Sequence, residues 1–100
     1  MTEDITPQQL KDRMNQGDAL NLLDVREPWE YEENRIGELN IPLGNLPHNL
    51  DQIQKWKDQE LVVYCRSGNR SGQAKKFLKQ QGFAKVRNLL EGIDGYMTLP

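Results

Sequence analysis

The feature that most constrains the fold is an uninterrupted apolar run, Leu61-Val62-Val63-Tyr64, which ends at the only cysteine of the chain, Cys65. A short apolar run without alternation is typical of a β-strand that is buried on both faces. Such strands occur in parallel sheets that helices cover on both sides. We therefore expect an α/β fold, with the functional site beyond the carboxyl ends of the strands.

Predicted strands and helices alternate along the rest of the chain. Strands are predicted over residues 19–25, 39–41, 61–64 and 85–89. Thr6 has the features of a helix N-cap, since Pro7 follows it and Gln9 stands where a capping-box partner would. Further helices are predicted from Pro28 to about residue 33, along the apolar stripe of residues 46–56, and over residues 74–81. The alternation predicts a three-layer fold, a mainly parallel sheet with helices on both faces.

Composition narrows the classes of function. The 100 residues argue for one domain spanning 1–100, and we expect a monomer. A net charge of −2 does not indicate binding to nucleic acid or to an anionic membrane. A single cysteine excludes an internal disulfide and a site with two thiolate ligands, and we expect neither metal nor cofactor. Without disulfides the chain suits a reducing compartment, with the cytoplasm as the expected location.

The segment after the buried strand carries the candidate chemistry. Residues 65–71 read Cys-Arg-Ser-Gly-Asn-Arg-Ser and precede a predicted helix. A cysteine is a nucleophile only as the thiolate, and its pKa falls near cations and helix N-termini. Arg66 and Arg70 supply cations, and Gly68 permits the positive φ that lets backbone N–H groups point inward as an anion nest. The competing interpretation is that Cys65 is a small buried hydrophobic residue.

Two ordered motifs resemble a known family. The pattern Cys-Arg-x-Gly-x-Arg over residues 65–70 is similar to the active-site loop of the rhodanese (thiosulfate sulfurtransferase) homology domain. Residues 22–31, Leu-Leu-Asp-Val-Arg-Glu-Pro-Trp-Glu-Tyr, resemble the first motif of that family, and residues 40–43 and 92–93 match further positions. The resemblance covers about residues 4 to 96.

The resemblance implies a single-domain sulfurtransferase with a five-stranded parallel sheet. Cys65 would be the catalytic residue, taking a sulfane sulfur as a persulfide and passing it to a thiophilic acceptor. Backbone amides of residues 66–70 would hold the terminal sulfur, and the two arginines would bind an anionic donor. Asp24 and Arg26 are interpreted as supporting residues. The candidate substrate-binding residues are Arg66, Ser67, Gly68, Asn69, Arg70 and Ser71.

The chain departs from the family pattern at three places. Residues 34–37 read Asn-Arg-Ile-Gly where Gly-His-Ile-Pro-Gly is usual. Glu91 replaces the first glycine of a Gly-Gly pair, and Tyr96 stands where tryptophan is common. The chain also leaves little room for a final helix. We expect these departures to affect packing at the sheet edge more than the chemistry.

Three classes of function remain open. Besides a sulfurtransferase, the chain could be an oxyanion enzyme of the phosphatase or arsenate reductase kind, or a non-catalytic binding or regulatory module. The phosphatase signature places its arginine six positions after the cysteine, whereas Arg70 is five positions after Cys65, which favours sulfur transfer. Thiosulfate, a persulfide carrier and polysulfide are all candidate anionic donors. Because no second cysteine can resolve a persulfide, the acceptor must be external: cyanide, a small thiol or a protein cysteine.

Other polar and aromatic residues receive simpler interpretations. His48, the only histidine, is expected to be exposed, and Trp29 is expected to pack in the ordinary way. Lys75, Lys76 and Lys79 are expected to form a solvated helix face.

Overall fold

A four-stranded, entirely parallel sheet forms the centre of the computed structural model, which describes residues 3–100. Its strands are β1 (Asn21–Asp24), β2 (Leu39–Asn40), β3 (Glu60–Tyr64) and β4 (Lys85–Asn88), in the order β2-β1-β3-β4. The α/β class and all four strands predicted from the residues are confirmed. The apolar strand β3 lies between β1 and β4, as its burial on both faces requires.

Within the described residues, one α-helix precedes the first strand, two connect consecutive strands and one follows the last strand. They are α1 (Pro7–Asn15), α2 (Pro28–Glu33), α3 (Asn69–Gln80) and α4 (Gly92–Met97). Thr6 caps α1 as predicted: its hydroxyl accepts from the Gln9 N–H, and the Gln9 side chain accepts from the Thr6 N–H. The expectation of little room for a final helix was wrong, because α4 completes six residues.

The expectation of a fifth strand was also wrong. Ile5 makes one isolated parallel bridge with Leu89, in which the Ile5 N–H donates to the Asn88 carbonyl at 3.0 Å. The Leu90 N–H donates back to the Ile5 carbonyl at 2.9 Å. The next residue, Thr6, already begins the cap of α1, so the backbone leaves the sheet after a single residue.

The apolar stripe of residues 46–56 does not form an α-helix. Three 3₁₀ helices replace it: Leu43–His48, Leu50–Gln52 and Gln54–Trp56. Pro47 lacks a backbone donor, and Asn49 and Ile53 adopt non-helical φ values of −131° and −119° between the short helices. The spacing nevertheless predicted the buried positions, since Leu46 and Ile53 are both fully buried.

The core divides into two clusters, one on each face of the sheet. Leu23 and Val63 point toward α3 and the 3₁₀ segment, whereas Leu22 and Val62 point toward α1 and α4. Neighbouring residues of one strand therefore face opposite helical layers, which confirms helices on both faces.

Two surface expectations need correction. Lys75 is not solvated like its neighbours, because its ammonium pairs with the Asp4 carboxylate at 2.5 Å. Trp29 is not packed in the interior and has 58% of its surface exposed. His48 is exposed as predicted. Within residues 3–100, no helix has the length and apolar character needed to cross a membrane.

Candidate functional site

Cys65 lies directly after β3, where the chain turns toward the beginning of α3. Gly68 occupies the N-cap of α3 with φ +111°, a conformation that favours glycine and curls the loop around the cysteine. The Gly68 N–H donates to the Cys65 Sγ at 3.1 Å. The Ser71 hydroxyl lies 3.3 Å from the same sulfur. The local fold therefore points donors at the sulfur atom.

These contacts shift the pKa of Cys65. Burial of the thiol raises its pKa, but hydrogen bonds from Ser71, Gly68 and Ser67 act in the opposite direction, and the pKa is lowered overall. The sequence attributed this effect to cations and the helix N-terminus. In the structure, donors at the N-terminus of α3 lower the pKa of Cys65, and neither arginine is among the largest causes.

The beginning of α4 holds the other side of the loop. The Ile93 N–H donates to the Cys65 carbonyl at 2.9 Å, and the Asp94 N–H donates to the Arg66 carbonyl at 3.1 Å. A side chain at Gly92 is impossible here, since a Cβ atom would lie 2.4 Å from the Arg66 carbonyl oxygen. α4 thus fixes the backbone from which the cysteine projects.

Arg70 is engaged by a residue that the sequence reasoning missed. Its Nη1 and Nη2 donate to the two carboxylate oxygens of Glu30 at 2.7 and 3.0 Å. This pairing, together with the Glu27 N–H and against the effect of burial, lowers the pKa of Glu30 to about 2. Glu30 belongs to the first motif, three positions after Glu27, with which it forms a capping box. That spacing was the available signal, but the loop that Glu30 contacts is distant in sequence.

The remaining loop residues are more open. The Arg66 side chain is 54% exposed and lies 3.8 Å from both the Glu30 and Asp94 carboxylates. Ser67 and Asn69 are exposed on the loop. Of the predicted loop residues, Gly68 and Ser71 contact the Cys65 sulfur, whereas both arginines pair with carboxylates.

Asp24 and Arg26 form a separate, sealed pair at the end of β1. The Arg26 guanidinium donates to Asp24 at 2.7 to 3.1 Å, and its remaining donors reach the Asn34 side chain and carbonyl. Both side chains are buried. Arg26 also lies 5.9 Å from the ring of Tyr64, next to Cys65. These contacts tie the end of β1 to Asn34 at the end of α2, and a supporting role for the pair stays a prediction.

An apolar cavity of about 230 Å³ lies away from this loop. Its lining includes Leu20 and Leu22 at the start of β1, and Trp56. No residue of the Cys65 loop lines it. Cys65 itself is only 1% exposed.

Comparison with known proteins gives the family. The model of the rhodanese-like domain matches residues 6–99. A sulfurtransferase from Allochromatium vinosum is 37% identical over 94 residues, covering 93% of this chain and 86% of the relative. The thiosulfate sulfurtransferase PspE of Escherichia coli is 36% identical over 71 residues, covering 70% of this chain and 68% of the relative.

A longer relative and a solved structure also match this chain. A putative sulfur carrier protein of Bacillus subtilis is 36% identical over 90% of this chain, which spans only 48% of that relative. The crystal structure of a rhodanese-like domain protein from Staphylococcus aureus superimposes with a TM-score of 0.85 at 25% identity, covering 96% of this chain and 91% of that one. The two relatives covered over most of their length are named sulfurtransferases, and the chain belongs to the rhodanese-like domain family.

Proposed function

We propose that this chain moves a sulfane sulfur from an anionic donor such as thiosulfate to an external thiophile through a persulfide on Cys65. The observation that carries the proposal is the sulfur's position, within hydrogen-bond reach of the Gly68 N–H and the Ser71 hydroxyl. A lowered pKa increases the thiolate fraction, which is the nucleophilic form.

The first half-reaction loads the cysteine. The Cys65 thiolate attacks the outer sulfur of thiosulfate and forms a new S–S bond. The original S–S bond of thiosulfate breaks, and sulfite leaves with the electron pair. N–H groups at the start of α3 stabilise the transferred sulfur as charge develops on it.

The second half-reaction unloads it. An acceptor attacks the outer sulfur, and Cys65 departs as a thiolate; cyanide yields thiocyanate, and a thiolate yields a new persulfide. The chain has one cysteine, so the acceptor comes from outside. An S–S bond places the outer sulfur about 2 Å from Sγ, so an acceptor need not reach the buried Sγ itself.

The arginines bind the donor in this proposal. Arg66 is exposed and makes only long contacts to carboxylates, so it is free to meet an incoming anion. Arg70 is 34% exposed and presents a planar fork, which an anion can share with Glu30. Thiosulfate is a reasonable first donor to test because the relative PspE is named for it. The reaction suits a reducing compartment such as the cytoplasm, where external thiols are abundant.

The other two classes receive less support. The five-residue interval between Cys65 and Arg70 gives a tighter loop than the phosphatase signature does. A binding module needs no ionised cysteine, whereas here Gly68 and Ser71 hold the sulfur in a position that favours the thiolate.

The kinetic test is the initial rate against thiosulfate at several fixed cyanide concentrations. The proposal predicts parallel double-reciprocal lines, because sulfite leaves before cyanide enters. Cys65→Ser, the matched control, should be inactive, since a hydroxyl cannot carry the persulfide. Intersecting lines would mean that both substrates bind together and would overturn the covalent mechanism.

A further inference from the structure

Asn88, at the end of β4, makes a set of contacts that the proposed reaction does not use. Its side-chain oxygen lies 2.5 Å from the Ser71 hydroxyl oxygen. Its side-chain N–H group donates to the Gly68 carbonyl at 3.1 Å, and its backbone N–H donates to the Asp4 carboxylate at 3.0 Å. Asn88 is buried and is fixed in one orientation by these partners.

The Ser71 hydroxyl therefore faces two acceptors. It lies 3.3 Å from the Cys65 Sγ and 2.5 Å from the Asn88 Oδ1. A hydroxyl has a single hydrogen, and the Asn88 oxygen has none to give. Ser71 is fully buried, so water does not supply a second donor. Only one of the two acceptors can receive the Ser71 hydrogen at a time.

We propose that Asn88 is a positioning residue of the Cys65 site, whose side-chain oxygen competes with the cysteine sulfur for the Ser71 hydrogen. When Cys65 is a thiol, Ser71 donates to Asn88 and its oxygen accepts from the S–H group. When Cys65 ionises and its proton passes to solvent, Ser71 turns its hydrogen to the thiolate, and the Asn88 oxygen loses its donor. Asn88 thus favours the states in which the Cys65 Sγ carries no charge.

This competition bears on both half-reactions, and its relevance to catalysis rests on the proposed function. A persulfide has an uncharged Sγ, so Ser71 returns to Asn88 once sulfur is loaded. When the acceptor attacks the outer sulfur, Cys65 leaves as a thiolate and Ser71 turns back to it. Asn88 thereby sets the balance between loading and unloading.

Several charged groups surround the loop and also act on the cysteine. They are Arg66 in the loop, Arg70 on α3, Glu30 on α2, Asp94 on α4, Asp24 and Arg26 at the end of β1, and Asp4 and Lys75 beyond Asn88. A comparison among variants of Ser71 and Asn88 leaves all of them in place, so their contributions cancel.

The experiment measures the rate of Cys65 alkylation by iodoacetamide across pH in the full chain. Ser71→Ala should raise the midpoint of the profile by about 0.3 to 1 pH unit, the effect of one ordinary hydrogen bond. Asn88→Ala should lower the midpoint by a similar amount, because Ser71 is then free for the thiolate. The double variant should have the same midpoint as Ser71→Ala alone.

Two results with the alanine variants would overturn the proposal. One is a midpoint that Asn88→Ala leaves unchanged or raises, which would mean that Asn88 acts only by holding the Gly68 carbonyl. The other is an equal lowering with and without the Ser71 hydroxyl, which would mean that the effect does not pass through Ser71. If Asn88→Ala does not fold by circular dichroism, Asn88→Val, which also lacks the acceptor and suits a strand, answers the same question.

Asn88→Asp supplies the opposite control. It keeps an acceptor for Ser71 and adds a negative charge, so the midpoint should rise. Shifts of Asn88→Asp and Asn88→Ala in the same direction would contradict the competition. Alkylation requires only a free thiol, so a failure here leaves sulfur transfer untouched, and a failure of sulfur transfer leaves this result standing.

Discussion

Two carboxylate–guanidinium pairs lie at the same edge of the sheet, and they differ in how completely the protein encloses them. In the Asp24–Arg26 pair both side chains are buried, and Arg26 also donates to the side chain and the carbonyl of Asn34. In the Glu30–Arg70 pair the carboxylate is buried but the arginine is 34% exposed. The first pair is closed off from solvent, whereas the arginine of the second is partly exposed at the loop that carries Cys65.

The comparison shows that burial, rather than charge, decides which pair can exchange partners. Separating Asp24 from Arg26 would leave a buried charge without its counter-ion, which is strongly destabilising. Arg70 remains in contact with water, so in the proposed reaction it can exchange its carboxylate partner for an anionic donor without being left unsolvated. Arg66 is more exposed than either of these arginines. Its side chain is 54% exposed and lies 3.8 Å from its nearest carboxylates.

The largest expected effect is a loss of folding stability when the buried Asp24–Arg26 pair is broken. Asp24→Asn should reduce the free energy of unfolding by about 3 to 5 kcal/mol, because Arg26 remains buried without its counter-ion. Urea unfolding measures the change. Asp94→Asn, at an exposed partner of Arg66, is the control and should cost less than about 0.5 kcal/mol. A loss below about 1 kcal/mol for Asp24→Asn would remove the distinction between the pairs.

The next effect is on catalysis, at the half-open pair. Arg70→Ala should lower kcat/KM for thiosulfate by about 10- to 150-fold, which corresponds to roughly 1.5 to 3 kcal/mol for a desolvated charged hydrogen bond. Arg70→Lys should recover only part of the rate, since an ammonium lacks the planar fork. Unchanged turnover in Arg70→Ala would show that the arginine serves only to pair with Glu30.

The Glu30–Arg70 pair should also make the free energy of unfolding depend on pH in the acid range. The pKa of Glu30 is lowered to about 2 from an ordinary value near 4.5, so its contribution to stability is complete above pH 4.5 and is lost as pH falls toward 2. The wild type should therefore lose about 1 to 3 kcal/mol more than Glu30→Gln over this range. Taking the difference removes the effects of other lowered carboxyl groups such as Asp4 and Glu60. Parallel stability curves would contradict the assignment.

The smallest expected effect is at the open arginine. Arg66→Ala should change the free energy of unfolding by less than about 0.5 kcal/mol, because its ion pairs are long and exposed. Its effect on kcat/KM for thiosulfate should be smaller than that of Arg70→Ala and should weaken with added salt. An effect larger than that of Arg70→Ala would reverse the order of the two arginines.

The sequence was most informative where a local pattern determines a local structure. The run Leu61–Tyr64, the Thr6 cap and the four strands follow from short-range patterns, and the structure contains all of them. The number of strands was wrong because it came from resemblance, while Ile5 makes only one bridge before α1 begins. The 3₁₀ segment was misassigned because spacings of three and four residues fit both kinds of helix.

The candidate loop could be located from sequence, but its partners could not. Glu30 contacts Arg70 from 40 residues away, and Asn88 contacts Ser71 from 17 residues away. Only the packing of α2 and β4 against the loop brings these pairs together. Glu91 is an intermediate case: the resemblance marked it as a departure, and its φ of +62° shows why glycine is usual at that position.

The most direct test of the central claim is the intact mass of the protein after incubation with thiosulfate. If Cys65 carries the sulfur, the wild type should gain one sulfur atom, cyanide should remove it, and Cys65→Ser should gain none. A wild-type mass that stays unchanged after thiosulfate, or a gain that persists in Cys65→Ser, would contradict the assignment of Cys65 as the sulfur carrier.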